Sequence, residues 1–480
     1  MERLLTSSQM RSADEYTINT LKIPEEELVH RAGIAVAKEI SKKFMGGRVL
    51  VCIGKGNNGE DGKIIAKYLS EIHGFSVAKL VVSNGILKLF ERKFDIIVDC
   101  IFGTGLNREV KGTYAEVIEK INKSGAYVVS CDIPSGINAD NGKVMGVAVK
   151  SDMTVAIQEL KLGHFLNEGV DYSGQVIVKD IGISIWGDDY AKRLNEKSIQ
   201  PLFPKLDRNV NKGNFKKACV FGGSKNYPGS VTLAYNALSA FRMGLGYVYL
   251  AVPENLYEVA LKVCPECVLI RIDDDGENFI FDKENIDKLL NLDSIAFGMG
   301  VGVNEQIFKI IEYLLLNYKG KLIIDADGIN AISKYGKKIL KNKNCQVVLT
   351  PHVKEFSRLI GVDKEIILDN QVEYAENFAR EYGVTIILKN AVSIITDGTE
   401  TYINTTGNSG MAKAGSGDVL SGMTAGVLAK DVETAFGSAV SAYLFGRAGD
   451  IALEDSNQYS LTASDVIKAI PKAINGTINA

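Results

Sequence analysis

Three short segments in the first 140 residues place glycines and carboxylates where they could hold an anion or move a proton. Gly54, Gly56, Gly59 and Gly62 bracket Asn57, Asn58, Glu60 and Asp61 in a run that follows an apolar stretch and precedes a helical pattern. Glycines let backbone amides close on a ligand, and a helix N-terminus favours negative charge, so this run could cradle a pyrophosphate. Its spacing is not the six-residue dinucleotide fingerprint, and a plain glycine turn is the competing reading. Asp99 leads into the turn Gly103, Thr104, Gly105, and Asp132 leads Ile133, Pro134, Ser135 and Gly136. Alone, each aspartate reads as a turn or cap residue. Set together at the carboxyl edge of one sheet, they could bind a cation or handle protons.

The second half repeats the theme. Gly410, Gly415 and Gly417 fall within the eight residues before Asp418, which opens a long helical pattern. Amides of Gly415, Ser416, Gly417 and Asp418 would sit at the positive end of that helix and could stabilise a transferring phosphoryl group. Asp418 is then either a base or only an N-terminal cap. No Lys-Ser or Lys-Thr pair ends the turn, so it is not a Walker loop. Asp325 and Asp327, the pair Pro351 and His352, and Gly298, Gly300 and Gly302 each follow an apolar strand pattern. His352 is open to two readings, a structural histidine or a ligand.

These segments need a scaffold, and the composition bounds it. The chain has 480 residues, two or three domains at about 150 residues each. It is 46% hydrophobic and 24% charged, which excludes disorder as the main state. The net charge of −3 supplies no field for a nucleic acid or an anionic membrane, and neither is expected as a partner. Seven cysteines, an odd number, and a first decapeptide without the apolar core of a leader point to a reducing cytoplasm. Cys264 and Cys267 have no second pair and read as packing residues. The stretch 226–253, with Arg242 its one charge and Pro228 and Gly244 as breaks, reads as buried core.

Continuous apolar runs predict buried parallel strands at 48–53, 75–82, 94–100, 127–132 and 153–157, then at 217–221, 247–252, 295–297, 322–325, 347–350 and 385–388. Helices are expected from Pro24 onward, over 230–243, over 307–318, and from 418 through 450. The fold class is α/β: two tandem three-layer αβα domains, each a parallel sheet between helices. Periodicity weakens between 182 and 212, around Pro201 and Pro204, so the boundary is placed near 205, giving domains 1–205 and 206–480.

The paired-asparagine loop, the Asp-x-x-x-Gly-Thr-Gly turn and the Asp-Ile-Pro-Ser-Gly segment resemble NAD(P)H-hydrate epimerases over about residues 10–185. The resemblance implies a Rossmann-like domain in which Asn58, Asp99 and Ser135 bind potassium. It implies substrate binding by Asn57, Asn58, Gly59, Glu60, Asp61, Gly103, Thr104, Gly105, Leu106, Asn107, Arg108 and Glu109. Asp132 is then the acid/base, with Lys161 beside the reacting ring. Glu60 stands where the family usually has glycine, and is expected either to turn to solvent or to alter the loop.

The Gly-x-Gly-Asp element, with the motifs around Gly222, Gly300, Asp325 and His352, resembles ADP- or ATP-dependent NAD(P)H-hydrate dehydratases of ribokinase-like fold over about residues 205–475. That implies hydrate binding by Ser230, Gly302, His352 and Asp418, with Asp418 as base. It implies a nucleotide along Lys389, Asn390, Ala391, Val392 and Ser393 and at Gly415, Ser416 and Gly417, with magnesium on its phosphates. ADP, yielding AMP and phosphate, is the expected donor and ATP the alternative. Ser230, Asn390 and Phe445 depart from the family's usual alanine, glycine and histidine. The expectation is a two-domain nicotinamide-nucleotide repair enzyme acting on NADH and NADPH hydrates, assembled as a homo-oligomer, a tetramer. Its rivals are a vitamin or sugar kinase with an accessory domain, and a nucleotide-sensing protein with inactive sites.

Overall fold

The computed structural model describes residues 1–82, 90–238 and 244–478. The chain forms two compact units, Glu2–Ala191 and Lys192–Ala480. The boundary falls before the expected position near 205, and residues 192–205 pack with the second unit. Lys192 pairs with Tyr402 of a sheet strand, and Leu194 and Ile199 are buried in that unit's core. The weak periodicity there reflects a short edge strand and short turns, not a linker.

In the first unit six strands lie in the order Phe75–Val81, Gly47–Ile53, Ile96–Cys100, Tyr127–Cys131, Met153–Ile157 and Gln175–Lys179, all parallel. The central ones are apolar and buried on both faces, as continuous runs require. Helices Glu25–Lys43 and Asn57–Glu71 pack on one face, and Thr113–Lys123 packs on the other. An earlier helix, Ser7–Asn19, had no counterpart in the sequence reading. It starts at a Thr6–Gln9 capping box.

In the second unit the strand order is Val268–Ile272, Tyr247–Pro253, Lys217–Phe221, Ser294–Phe297, Lys321–Ile324, Gln346–Leu349 and Thr385–Leu388, again parallel. An antiparallel hairpin, Ser393–Thr396 and Thr401–Asn404, extends it. The helix expected over 230–243 is Pro228–Leu238; its last expected residues, with Arg242, lie outside the described residues.

The single helix expected over 418–450 is two, Ser416–Leu428 and Thr434–Glu454. The break has a local cause. Glu433 turns its carboxylate onto the amides of Ala435 and Phe436 and caps a new helix. Every residue from Val419 to Leu428 is buried, so the first helix threads the core and holds its N-terminus in place. A Cβ on Gly422 would fall 2.1 Å from the backbone oxygen of Ala234, so only glycine lets this helix seat against Pro228–Leu238.

Candidate functional sites

Beyond the strand tips of the first unit lies a cavity of about 1000 Å³. Asn57, Asn58 and Asp61, the turn 103–109, Asp132 and Lys161 line it. Gly59 and Glu60 do not. A Cβ on Gly59 would sit 2.3 Å from the oxygen of Gly54, so Gly59 serves to fold the loop tightly. Glu60 is exposed and pairs with Lys63 at 2.6 Å, turned to solvent on the helix surface.

Asp132 ends the strand Tyr127–Cys131 with φ +66°, a conformation rare outside glycine. Four contacts hold it there. Its amide donates to Val155, and its Oδ1 accepts from the Ile157 amide at 3.1 Å and from the Lys161 ammonium. His164 Nδ1 accepts from the Lys161 amide, so Nε2 carries the proton and donates to the Asp132 carbonyl at 2.8 Å. Lys161 is buried and also donates to the carbonyls of Ile157 (2.7 Å) and Glu159 (3.0 Å). Its ammonium is thus fully satisfied and cannot swing away. Asp61 is buried nearby, and burial followed by the charge of Asp132 pushes its carboxyl well up.

Asn58, Asp99 and Ser135 form a cluster beneath this floor. Asp99 is fully buried and takes hydrogen bonds from Ser135 Oγ (2.6 Å), the Ser135 amide, Ser130 Oγ and the Ile101 amide. Burial raises its carboxyl, and the Ser135 and Ser130 donors oppose that rise. Asn58 donates from Nδ2 to the carbonyls of Phe102 and Cys131, which leaves its buried Oδ1 without a partner.

In the second unit Asp325 follows the strand Lys321–Ile324 and is almost wholly buried. Lys389 Nζ donates to its Oδ1 at 2.8 Å and Ser421 Oγ to its Oδ2 at 2.6 Å. A Cβ on Gly417 would lie 3.2 Å from the Lys389 ammonium, which puts that lysine at the N-terminus of Ser416–Leu428. Asp418, in the first turn, is pushed up to about 7 by burial and then by the charge of Asp325, with Lys389 and a hydrogen bond from Ser230 opposing. The Gly302 amide donates to Asp327 Oδ2 at 2.9 Å.

His352 caps the helix Val353–Ile360 through Nδ1, and burial lowers its imidazole. Its backbone runs beside that of Lys389, whose amide donates to Pro351. Ser230, Lys389, Gly417 and Asp418 therefore converge, with His352 alongside. The turn 390–392 connects the strands Thr385–Leu388 and Ser393–Thr396. The Asp325–Lys389–Ser421 linkage has no counterpart among the sequence expectations. It joins positions up to 96 residues apart, and no spacing rule signals it.

The family model described as NAD(P)H-hydrate dehydratase matches residues 218–472, and that described as YjeF-related protein N-terminus matches 25–88 and 79–163. Among curated relatives, the bifunctional NAD(P)H-hydrate repair enzyme Nnr of Moorella thermoacetica is 31% identical, over 98% of this chain and 96% of its own. That of Archaeoglobus fulgidus is 33% identical, over 93% of each. The crystal structure of the Bacillus subtilis ADP/ATP-dependent NAD(P)H-hydrate dehydratase, co-crystallised with ATP/Mg2+, superposes with a TM-score of 0.52 at 25% identity, over 60% of this chain and 99% of that one. A ribokinase-like superfamily protein from Enterococcus faecalis, at 23% identity and a TM-score of 0.51, covers 62% of this chain and 99% of its own and shares the fold. With relatives above 30% identity spanning nearly its whole length, the chain belongs to the bifunctional NAD(P)H-hydrate repair enzymes.

Proposed function

We propose that the first unit interconverts the R and S hydrates of NADH and NADPH, and that the second dehydrates the S form with ADP, or with ATP. One observation carries the reading: each unit sets a carboxylate against a lysine at the carboxyl edge of a parallel sheet, Asp132 with Lys161 and Asp325 with Lys389, the latter beside Asp418.

A nicotinamide hydrated at C6 is a hemiaminal, so its ring nitrogen can expel the hydroxyl once that oxygen is protonated. Water returning to the other face inverts the centre. Asp132 is the proton-handling group in this reading, and Lys161 fixes its direction and charge. Asn57, Asn58, Asp61 and the turn 103–109 line the space for the phosphates and ribose. Exposed Glu60 leaves that space free of its charge.

In the second unit Asp418 takes the proton from the C6 hydroxyl as that oxygen attacks the terminal phosphoryl group. Phosphate then leaves where hydroxide would not as the ring nitrogen's electron pair forms the C=N bond, and loss of the C5 proton to water or to the departing phosphate forms the C5=C6 bond and returns the pair to nitrogen. Amides of Gly415, Ser416 and Gly417 and the Lys389 ammonium face the developing charge. Ser230, Gly302 and His352 would hold the hydrate, and Asn390, Ala391, Val392 and Ser393 the nucleotide. Magnesium would come on the nucleotide phosphates and neutralise their charge.

The cluster below Asp132 fits a potassium ion in two respects. Asn58 Oδ1 is a buried oxygen lacking a donor, and Asp99 supplies buried negative charge. Asn58, Asp99 and Ser135 would hold the ion, which would supply fixed positive charge under the loop. A cytoplasmic, homo-oligomeric enzyme completes the proposal; all seven cysteines are free thiols.

The test supplies mixed hydrate epimers with ADP or ATP and follows the return of reduced-nicotinamide absorbance. Conversion of both epimers supports the reading. Release of a stable phosphorylated product would favour a kinase, and conversion of S alone would remove the epimerase half.

A further inference from the structure

Asp14 shares the first cavity with Asp132 and Asp61 and has no place in the one-carboxylate account. Asp14 lies on the helix Ser7–Asn19, whose residues Ser7, Met10, Arg11, Asp14, Glu15 and Ile18 line the cavity at helical spacing. It is half-buried, and among the described residues no hydrogen bond or ion pair holds its carboxyl. Asp132, by contrast, is bound by Lys161 and the Ile157 amide. The two carboxyls reach one cavity from different elements, a helix and a strand tip.

Their surroundings differ as well. Asp14 is pushed up to about 6 by burial, then by the charge of Asp132, with Lys161 opposing and Glu25 and Glu15 adding to the rise. Asp61 faces it from the helix Asn57–Glu71, and Arg11 lies one turn back on its own helix. Two carboxyls in one cavity, one bound by an ammonium and an amide and the other raised by burial, suit an acid and a base acting together.

We propose that Asp14 is the second proton-transferring group of the epimerisation, acting on the face of the nicotinamide ring away from Asp132. This rests on the epimerase reading above. In one direction the carboxyl of Asp14 gives its proton to the C6 hydroxyl, the C6–O bond breaks, and water departs as the ring nitrogen's pair forms the C=N bond. Water then adds to C6 from the Asp132 side, the C=N pair returns to nitrogen, and the proton of the adding water passes to the Asp132 carboxylate. The enzyme is left with Asp14 ionised and Asp132 protonated, the form that runs the opposite epimer. Solvent exchange at the open cavity resets the pair.

The experiment uses the full-length chain as wild type, Asp14→Asn and Asp14→Glu, each given mixed R and S hydrates with ADP or ATP. In Asp14→Asn the S form should be consumed at the wild-type rate, which shows a folded protein. Conversion of the R form should fall about 100-fold or more, with partial return in Asp14→Glu. The wild-type pH profile of the R phase should have two limbs, and the residual Asp14→Asn activity only one. Unchanged R conversion in Asp14→Asn, or a slower rate that keeps both limbs, overturns the proposal and leaves the epimerase reading standing. A wild type that never converts R overturns both.

Discussion

The ammonium of Lys389 rests 2.8 Å from a carboxylate oxygen of Asp325, pairing a partly open cation with an anion that is almost wholly buried. Ser421 donates to the other oxygen, so the carboxylate is satisfied only while both partners stay.

Removing the lysine should therefore harm both fold and chemistry. Lys389→Met leaves a buried charge uncompensated, at a cost of about 3–5 kcal/mol. Urea unfolding of the full chain should show the second unit melting earlier, and dehydration should disappear while epimerisation persists. An unchanged midpoint would mean that the pair contributes nothing to stability.

Asp418→Asn should lower dehydration about a thousandfold. In the wild type the dehydration rate should climb as pH rises through about 7, where the carboxyl ionises. Stability should move the other way. The folded state holds a proton on Asp418 up to about 7 against an ordinary 3.8, so folding is favoured most at low pH and loses ground between those values. Asp418→Asn should melt higher than wild type at pH 8 and match it more closely at pH 4. Parallel melting curves for the two proteins across that range would contradict the assignment.

Lys161→Met should abolish R-to-S conversion, because it strips Asp132 of its counter-charge and two carbonyls of their donor. Dehydration of the S form provides the control. Lys161→Arg should not rescue, since a guanidinium does not fit a fully enclosed ammonium site. Full activity in Lys161→Met would show that the pair only shapes the loop.

Potassium should raise the melting temperature of the first unit relative to a bulky organic cation, and Asn58→Leu should erase that difference by removing the free oxygen. Equal potassium dependence in wild type and variant would move any ion elsewhere.

Much of both sites was readable because their parts are local. A glycine run after an apolar strand fixes a loop at a sheet edge whatever the tertiary detail, and Asp132 and Asp418 each carry their own context. Asp14 was not readable: it is one carboxylate on an unremarked helix, and only packing turns that face toward the cavity. Its faint signal was a carboxylate in step with Met10 and Ile18. The split at Glu433 was hidden as well, because the residues either side are equally apolar and the cap depends on one side chain folding back. The hairpin at 393–404 escaped notice because its short strands, Ser-Ile-Ile-Thr and Thr-Tyr-Ile-Asn, begin and end on polar residues and carry no continuous apolar run.

The tight fit of Gly422 against the oxygen of Ala234 also limits how this half of the protein can vary. The obstacle to a larger residue is main chain, which no substitution at position 234 can trim, so compensation would need the partner helix itself to retreat. Position 422 lies one turn along from Asp418. A methyl group there would tip the N-terminal turn that carries Asp418, and the loss should register as slow turnover in a protein that still folds. Drift in the reaction could thus begin at a residue that meets neither substrate.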